Sequence, residues 1–316
     1  MISRRELLKI SAMATAAGLL PADVLKAATN GELITREIPG TGERLPIVGL
    51  GTSASFRSLA AADDLTPLKE VISVLLENGG TVCDTAPSYG EAEQAAGNIV
   101  QKLDATKRVF WATKVNTVPR GETSTTAKEA RAQIEKSFEY IGKDPIDLIQ
   151  VHNLKDVPTQ MGVLKELKEE GRVRHIGTTY TGQSRFPELA EAMRKEPIDF
   201  IGVNYAVDDR EAAEQILPLA QDLGIAVLVY VPFGRTRLWQ RVRDREIPAW
   251  SSEMGIKSWG QFFIKYAAAH PAVTVVTPAT SKPHHMLDNI GAAYGELPDA
   301  AMQQRMADYI DALPSA

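Results

Sequence analysis

Cysteine is nearly missing from this 316-residue chain: Cys83 is the only one, so no internal disulfide can form. The five histidines lack the spacing of metal ligands, so we expect no metal site. Basic residues are not in excess either, because 35 Lys and Arg against 40 Asp and Glu leave a formal net charge of −5. Since nucleic-acid surfaces need clustered basic residues, no nucleic-acid partner is expected.

The first 28 residues form a separate segment whose pattern predicts export. Arg4 and Arg5 precede a short, alanine-rich apolar stretch in "SRRELLKISAMATAAGLLPA", the layout of a signal peptide. This wording resembles the twin-arginine signal, which directs folded proteins to the twin-arginine export machinery. We therefore expect residues 1–28 to be removed near Ala27 or Ala28 and the protein to be periplasmic after folding in the cytoplasm. An amphipathic helix with chance arginines is the alternative. No other segment looks capable of crossing a membrane.

Residues 35–316 alternate between short apolar runs and helical patterns, which predicts one α/β domain. "LITREIP" and "ERLPIVG" flank "GTG" and predict an N-terminal β-hairpin. Eight strand–helix pairs follow without a linker, and a last helix is expected near residues 299–312. Eight such units match a (β/α)8 TIM barrel with an N-terminal β-hairpin and a C-terminal extra helix. A doubly wound open sheet is the alternative, although no strand opens into G-x-G-x-x-G.

Four reactive side chains follow three successive predicted strands. Asp84 ends "TVCD", and Tyr89 lies in the loop just beyond it. Lys114 lies near the end of "VFWATKV", and His152 ends "DLIQVH". Because the strands of a (β/α)8 barrel end at one rim, the four should meet there. Taken alone, three of them also have an ordinary structural explanation: Asp84 as a capping residue, Tyr89 as a packed loop residue and His152 as a core histidine.

Together these residues resemble a proton donor with charges around it. A buried Lys114 needs an anion, and Asp84 is the nearest candidate. A positive Lys114 beside Tyr89 favours the phenolate, so we expect the pKa of Tyr89 to lie below its usual value of about 10. Tyr89 could then protonate a developing alkoxide while His152 donates to the same oxygen. No side chain supplies a hydride, so the set requires a nicotinamide cofactor.

Several motifs, in this order and spacing, resemble the aldo-keto reductase family. They cover residues from about 40 to 295 and include "DTAPSYGEAEQAAG", "ATKV", "DLIQVHN", "GIAVLVYVPFG" and "VVTPATSKPHHMLDNIGAA". The resemblance implies a (β/α)8 barrel that uses NAD(P)H to reduce small aldehydes or ketones to alcohols. It implies a catalytic tetrad of Asp84, Tyr89, Lys114 and His152. NADP is the expected cofactor, NAD is the alternative, and a monomer is expected.

The resemblance also implies which residues hold the cofactor. Gly51, Thr52, Asp84 and Thr179 would lie on the nicotinamide side, and Tyr230 would stack on the nicotinamide ring near Phe233. The adenosine phosphate and adenine would contact one later segment, with Thr280, Ser281, Lys282, His285, Asp288 and Asn289. Hydroxyls, a lysine and a helix N-terminus are suited to phosphate. A plain surface position is the alternative for Lys282.

The chain departs from the family where the nicotinamide carboxamide is held. The usual Ser-Asn pair is Thr179-Tyr180 here, and the usual glutamine is Gly202. Backbone groups, Tyr180 or Asn204 are the alternative partners. The departure motivates a second hypothesis, a nucleotide-binding or sensor protein on the same barrel with slow or no catalysis. A metal-dependent barrel hydrolase is the weakest hypothesis, because the mouth supplies one histidine and a lysine rather than a ligand cluster.

An arginine-rich insertion, "GRTRLWQRVRDRE", stands out in this otherwise acidic chain. Such a run predicts either a solvated helix face or a clamp on a phosphorylated ligand. Its members are Arg235, Arg237, Arg241, Arg243 and Arg245.

Overall fold

A β-hairpin leads into the barrel. The structure is a computed structural model that describes residues 32–314, so the predicted export signal at residues 1–28 lies outside the described residues. Strand β1 (Thr35–Glu37) pairs antiparallel with β2 (Arg44–Pro46), which confirms the predicted hairpin. Between the strands, Gly40 and Gly42 have φ angles of 74° and 73°, a left-handed conformation that glycine adopts readily.

Eight parallel strands follow, each paired with the next along the chain. They are β3 (Leu50–Gly51), β4 (Val82–Asp84), β5 (Phe110–Val115), β6 (Ile146–Val151), β7 (Val173–Tyr180), β8 (Phe200–Asn204), β9 (Ala226–Tyr230) and β10 (Val273–Val276). Parallel bridges from Val48 to Val276 and from Gly51 to Ala279 join the first of these strands to the last. The predicted (β/α)8 barrel is confirmed, and the alternative of an open doubly wound sheet is wrong.

Helices surround the sheet, and two short ones also contribute residues to the cleft. The helices are α1 (Ser55–Ala60), α2 (Thr66–Glu77), α3 (Ala92–Lys102), α4 (Ala127–Ile141), α5 (Val157–Glu169), α6 (Phe186–Lys195), α7 (Ala212–Leu223), α8 (Arg237–Val242), α9 (Trp259–Ala269), α10 (Pro283–Gly291) and α11 (Ala300–Asp311). Helix α4 shows how the sequence sets their limits: Thr126 and Glu129 form a capping box at its start, and Gly142 ends it with φ of 69°. The last helix is the predicted C-terminal one. Within residues 32–314, no helix combines the length and apolar content needed to cross a membrane.

The alternation of side chains along β5 decides what enters the barrel. All six residues of this strand are buried. Trp111 packs in the cluster between sheet and helices, whereas Phe110 and Ala112 belong to the cluster inside the barrel. Since successive side chains point to opposite faces of a strand, Lys114 shares the inner face with Ala112. The period of the strand therefore directs a charged amine into the barrel.

The N-terminal end of the barrel is filled with apolar side chains. Ile38 and Leu45 of the hairpin pack in one buried cluster with Phe110, Leu148 and Phe200. Phe110 and Phe200 begin β5 and β8, so the hairpin covers the end at which the strands start. The cleft of the molecule lies at the opposite end.

Candidate active site

The barrel brings the four predicted catalytic residues to its C-terminal end. Asp84 is the last residue of β4, Lys114 is next to last in β5, and His152 follows β6 directly. Asp84, Tyr89 and His152 line one cavity of about 700 Å³, and Lys114 lies buried beneath it. Parallel strands that end at one rim account for this convergence.

Lys114 and Asp84 form a buried ion pair. The lysine Nζ lies 2.7 Å and 2.8 Å from the two carboxylate oxygens and 2.8 Å from the carbonyl oxygen of Thr85. Burial is the largest influence on the pKa of Lys114 and acts to lower it, but the contacts with Asp84, Tyr89 and Glu93 together outweigh burial, so this pKa lies above its usual value. The predicted partner of the lysine is therefore the observed one, and the amine stays charged.

The pKa of Tyr89 differs from the sequence-based expectation. Burial raises this pKa above its usual value, and the Lys114 ammonium, 5.3 Å from the ring centroid, acts in the opposite direction without overcoming burial. The expected net lowering is therefore wrong, although the predicted influence of the lysine is present. The hydroxyl stays protonated through the neutral pH range, which is the state that a proton donor needs.

His152 is neutral at the edge of the same cavity. Burial and the charge of Lys114 lower the pKa of His152 to about 3. The Ser88 Oγ lies 3.4 Å from Nδ1 of the imidazole, and the ring meets Tyr89 edge to face with centroids 6.0 Å apart. A neutral imidazole carries one N–H and can donate one hydrogen bond to a ligand.

A second cavity of about 370 Å³ adjoins the first. Both cavities are lined by the same four residues at their junction, namely Ser55, Phe233, Trp239 and Ala279. The second cavity contains the whole predicted adenosine-binding set, Thr280, Ser281, Lys282, His285, Asp288 and Asn289. The structure therefore places the predicted catalytic and adenosine-binding residues along one cleft.

The residues predicted on the nicotinamide side do not all line the cleft. Gly51 and Thr179 line the first cavity, and the Thr179 hydroxyl accepts from the backbone N of Asn153 at 3.2 Å. Thr52 is buried beside them but lines neither cavity, and its hydroxyl has no hydrogen-bond partner among residues 32–314. Tyr230 lines the first cavity while its hydroxyl reaches into the barrel, 3.0 Å from Asp84 Oδ1.

Neither side chain suggested as a substitute for the missing carboxamide partners lines the first cavity. The Tyr180 hydroxyl lies 3.2 Å from Ser184 Oγ, outside the cavity lining. The Asn204 amide donates to Asp209. Asn153 is the one amide side chain in the lining of the first cavity, and it lies in a left-handed conformation with φ of 60°.

Three polar residues at the site were not predicted from the sequence: Gln150, Ser88 and Asn153. Gln150 Oε1 lies 3.0 Å from the Tyr230 hydroxyl, inside the barrel. A polar residue in a six-residue buried strand is a detectable signal, because such a side chain needs an internal partner. Ser88 directly precedes Tyr89, and Asn153 directly follows His152. Their place beside a predicted residue was the available signal.

The arginine-rich insertion divides between structural and cavity-facing roles. The Arg237 guanidinium binds Asp208, and Arg241 donates to the carbonyl oxygen of Leu313 at 3.0 Å, near the end of α11. Arg235 lines the first cavity, as does Arg57 of α1. Two of the five arginines therefore bind other parts of the chain, and one lines the cleft.

Comparisons with known proteins agree with this architecture. A model of the aldo/keto reductase family matches residues 48–307. The chain is 25% identical over 296 residues to the aldo-keto reductase str7 of Strobilurus tenacellus, which covers 83% of this chain and 85% of that protein. It is 30% identical over 201 residues to the aldo-keto reductase YhdN of Bacillus subtilis (strain 168), covering 61% of this chain and 60% of that protein.

Solved structures share the fold. The holo form of the aldo-keto reductase AKR11C1 from Bacillus halodurans superimposes with a TM-score of 0.70 at 21% identity, over 90% of this chain and 98% of that one. An aldo-keto reductase from Klebsiella pneumoniae in complex with NADPH gives 0.70 at 21% identity, over 89% and 95%. Because the family model spans most of the sequence, the chain belongs to the aldo/keto reductase family of NAD(P)H-dependent oxidoreductases.

Proposed function

We propose that this protein reduces aldehydes or ketones to alcohols with NADPH and that Tyr89 donates the proton. The observation that carries the proposal is the continuous cleft, in which the cavity of Tyr89 and His152 adjoins the cavity of Lys282. A proton donor and a phosphate-binding set in one cleft are what a reductase with an extended dinucleotide requires.

The donor set of the second cavity fits a nucleotide phosphate. Lys282 supplies an ammonium, and Thr280 and Ser281 supply hydroxyls. Helix α10 begins at Pro283, so the positive end of its dipole lies beside the same residues. This cavity contains the predicted adenosine-binding set, and NADP differs from NAD by one more phosphate on its adenosine. A lysine and a helix N-terminus at this end of the cleft therefore support NADP over NAD.

Hydride transfer is the chemistry that a bound nicotinamide supplies here. A hydride added to the carbonyl carbon forms a C–H bond and leaves the electron pair of the C=O π bond as negative charge on the oxygen. The Tyr89 O–H then gives that oxygen a proton. The Lys114 ammonium then lies near the resulting phenolate and stabilises it. Asp84 holds that ammonium in place, and the neutral His152 orients the carbonyl by donating its N–H.

Asn153 is the side chain proposed to hold the carboxamide of the nicotinamide. It lines the first cavity beside Thr179, and position 202, where the family usually has glutamine, carries no side chain. An amide can both donate to and accept from another amide, which suits this ligand group.

Replacing Tyr89 with Phe tests the proposal. We expect kcat for carbonyl reduction to fall by at least about a hundredfold, because the proton donor is lost. Binding of NADPH, measured by its fluorescence, should change less than twofold, because the nucleotide-binding residues are intact. An unchanged kcat in this variant would rule out the role of Tyr89.

A nucleotide-binding or sensor protein is the second candidate. It is favoured by the changed carboxamide region, where Gly202 and Tyr180 replace the amide side chains that are usual in the family. Neither residue lines the first cavity. NADPH binding without oxidation across a broad panel of aldehydes and ketones would establish the sensor and reject the reductase.

A further inference from the structure

The Tyr230 side chain occupies space that any side chain at position 202 would need. A Cβ atom added to Gly202 would lie 2.4 Å from Cε2 and 2.7 Å from Oη of Tyr230. Such distances are far below van der Waals contact, and the barrel interior is closely packed. Gly202 belongs to β8 and Tyr230 ends the neighbouring β9. The ring therefore fits inside the barrel because position 202 has no side chain.

The hydroxyl on this ring reaches the aspartate of the ion pair. Tyr230 Oη lies 3.0 Å from Asp84 Oδ1 and 3.0 Å from Gln150 Oε1. The same Oδ1 accepts from Lys114 Nζ at 2.7 Å. A hydroxyl has one proton, and the charged carboxylate is the stronger of its two acceptors. Asp84 is thus held by donors from two strands, β5 and β9.

We propose that Tyr230 is a positioning residue that acts on Tyr89 through Asp84, and that Gly202 is the residue that admits it. The inference rests on the proposed role of Tyr89 as proton donor. The hydroxyl fixes the carboxylate so that both oxygens remain on the Lys114 ammonium. It also takes up part of the carboxylate charge and so reduces the negative charge that Tyr89 experiences.

The electrostatics of the cluster give the direction of the effect. Burial raises the pKa of Asp84, and the contacts with Lys114 and Tyr230 act against this rise. Burial also raises the pKa of Tyr89, which Lys114 opposes and the charge of Asp84 increases. Arg235 also acts to lower the pKa of Tyr89, Glu93 acts on Lys114, and the Cys83 thiol interacts with Asp84. None of these three groups donates a hydrogen bond to Asp84 within the described residues. Loss of the Tyr230 hydroxyl should therefore raise both pKa values.

The variant Tyr230→Phe tests the inference, because it removes one oxygen and keeps the ring. We expect the titration of Asp84 to move up by about one pH unit, the size of one lost hydrogen bond to a charged group. It is followed by NMR of protein labelled with ¹³C at the aspartate carboxyl carbon, with the Asp84 signal assigned from Asp84→Asn. In turnover, kcat should fall about tenfold and its alkaline limb should move to higher pH, with KM for NADPH within about twofold.

Tyr205→Phe is the matched control. Tyr205 is also buried, but its hydroxyl contacts Gln303 rather than the cleft. This variant should leave the Asp84 titration and the pH profile unchanged. An Asp84 titration that does not move in Tyr230→Phe, or that moves equally in Tyr205→Phe, overturns the inference. Equal melting temperatures of the two variants exclude a general loss of structure.

Gly202→Ala provides an independent test of the pairing. Its added methyl group would push the ring of Tyr230, so the Asp84 titration should rise as in Tyr230→Phe while NADPH binds more weakly. An unmoved titration in this variant contradicts the role of Gly202. A wild-type protein without turnover would instead reject the proposed reductase, and the titration would still decide whether Tyr230 holds Asp84.

Discussion

The two ends of the barrel each bury a carboxylate beside a lysine. At the C-terminal end Asp84 binds Lys114 at 2.7 Å. Near the N-terminal end Asp147, the second residue of β6, binds Lys143 at 2.5 Å and accepts from the backbone N of Trp111 at 2.8 Å. The Asp84 and Asp147 side chains are both at most 4% exposed, so each carboxylate needs its donors to offset the loss of water. The two carboxylates are therefore alike in burial and in having a lysine partner.

The surroundings of the two pairs differ. Arg174 lies 2.7 Å from Asp147 and also binds Glu43 of the hairpin segment, so that cluster is closed by further protein charges. None of the residues in this cluster, at the N-terminal end of the barrel, lines either cavity of the cleft. The pair of Asp84 and Lys114 instead lies under Tyr89 in the cavity of about 700 Å³. A buried ion pair becomes part of a reactive site only where a proton donor and a ligand space adjoin it.

The two ends should differ most clearly when Lys114 is replaced by Met. This change leaves Asp84 buried without its ammonium, so unfolding should require about 3–5 kcal/mol less free energy, as measured by urea denaturation. Carbonyl reduction should also be lost, since the phenolate of Tyr89 has no stabilising charge. A variant of normal stability and activity would show that the ion pair has neither role.

Replacing Asp147 with Asn provides the counterpart at the N-terminal end. The neutral amide loses charge-assisted bonds to Lys143 and Arg174, so we expect a loss of about 2 kcal/mol in urea denaturation. The value of kcat should stay within about twofold, because this cluster does not adjoin the cleft. A large decrease in kcat at unchanged stability would mean that the two ends are coupled.

The smallest expected effect is that of pH on the reduction rate. Because the pKa of His152 is about 3 and the pKa of Tyr89 is raised, neither group changes its charge near neutrality. Reduction needs protonated Tyr89, so kcat should stay within twofold from about pH 5 to about pH 9 and decrease above that. Alcohol oxidation needs the phenolate and should rise with pH instead. A kcat for reduction that rises or falls steeply near pH 7 would contradict these assignments.

The rim residues could be predicted because the order of the strands and the alternation of side chains along each strand can be read from short stretches of the sequence. Asp84, Lys114 and His152 each end a buried apolar run, and in a parallel barrel such ends converge. The adenosine-binding set is contiguous in sequence, so one segment carries it from Thr280 to Asn289. Neither feature depends on how distant segments of the chain pack.

The predictions about Tyr89 and Tyr230 failed or stayed incomplete for a different reason. The pKa of Tyr89 depends on how much burial its ring experiences relative to the nearby charge, and burial arises from several distant segments. The contact from Tyr230 to Asp84 joins residues 146 positions apart. Nor does an isolated Gly202 in a strand indicate which neighbouring side chain will fill the space beside it.

The order of strands and helices, the inward face of β5 and the three catalytic side chains at the strand ends were determined by the sequence alone, because chain direction and a two-residue period suffice to fix them. Only the tertiary structure decided which oxygen of Asp84 each donor reaches, which residues were left to meet a carboxamide and in which direction the pKa of Tyr89 moves. These properties depend on ångström distances and on excluded water, which arise only when strands far apart in the chain pack together.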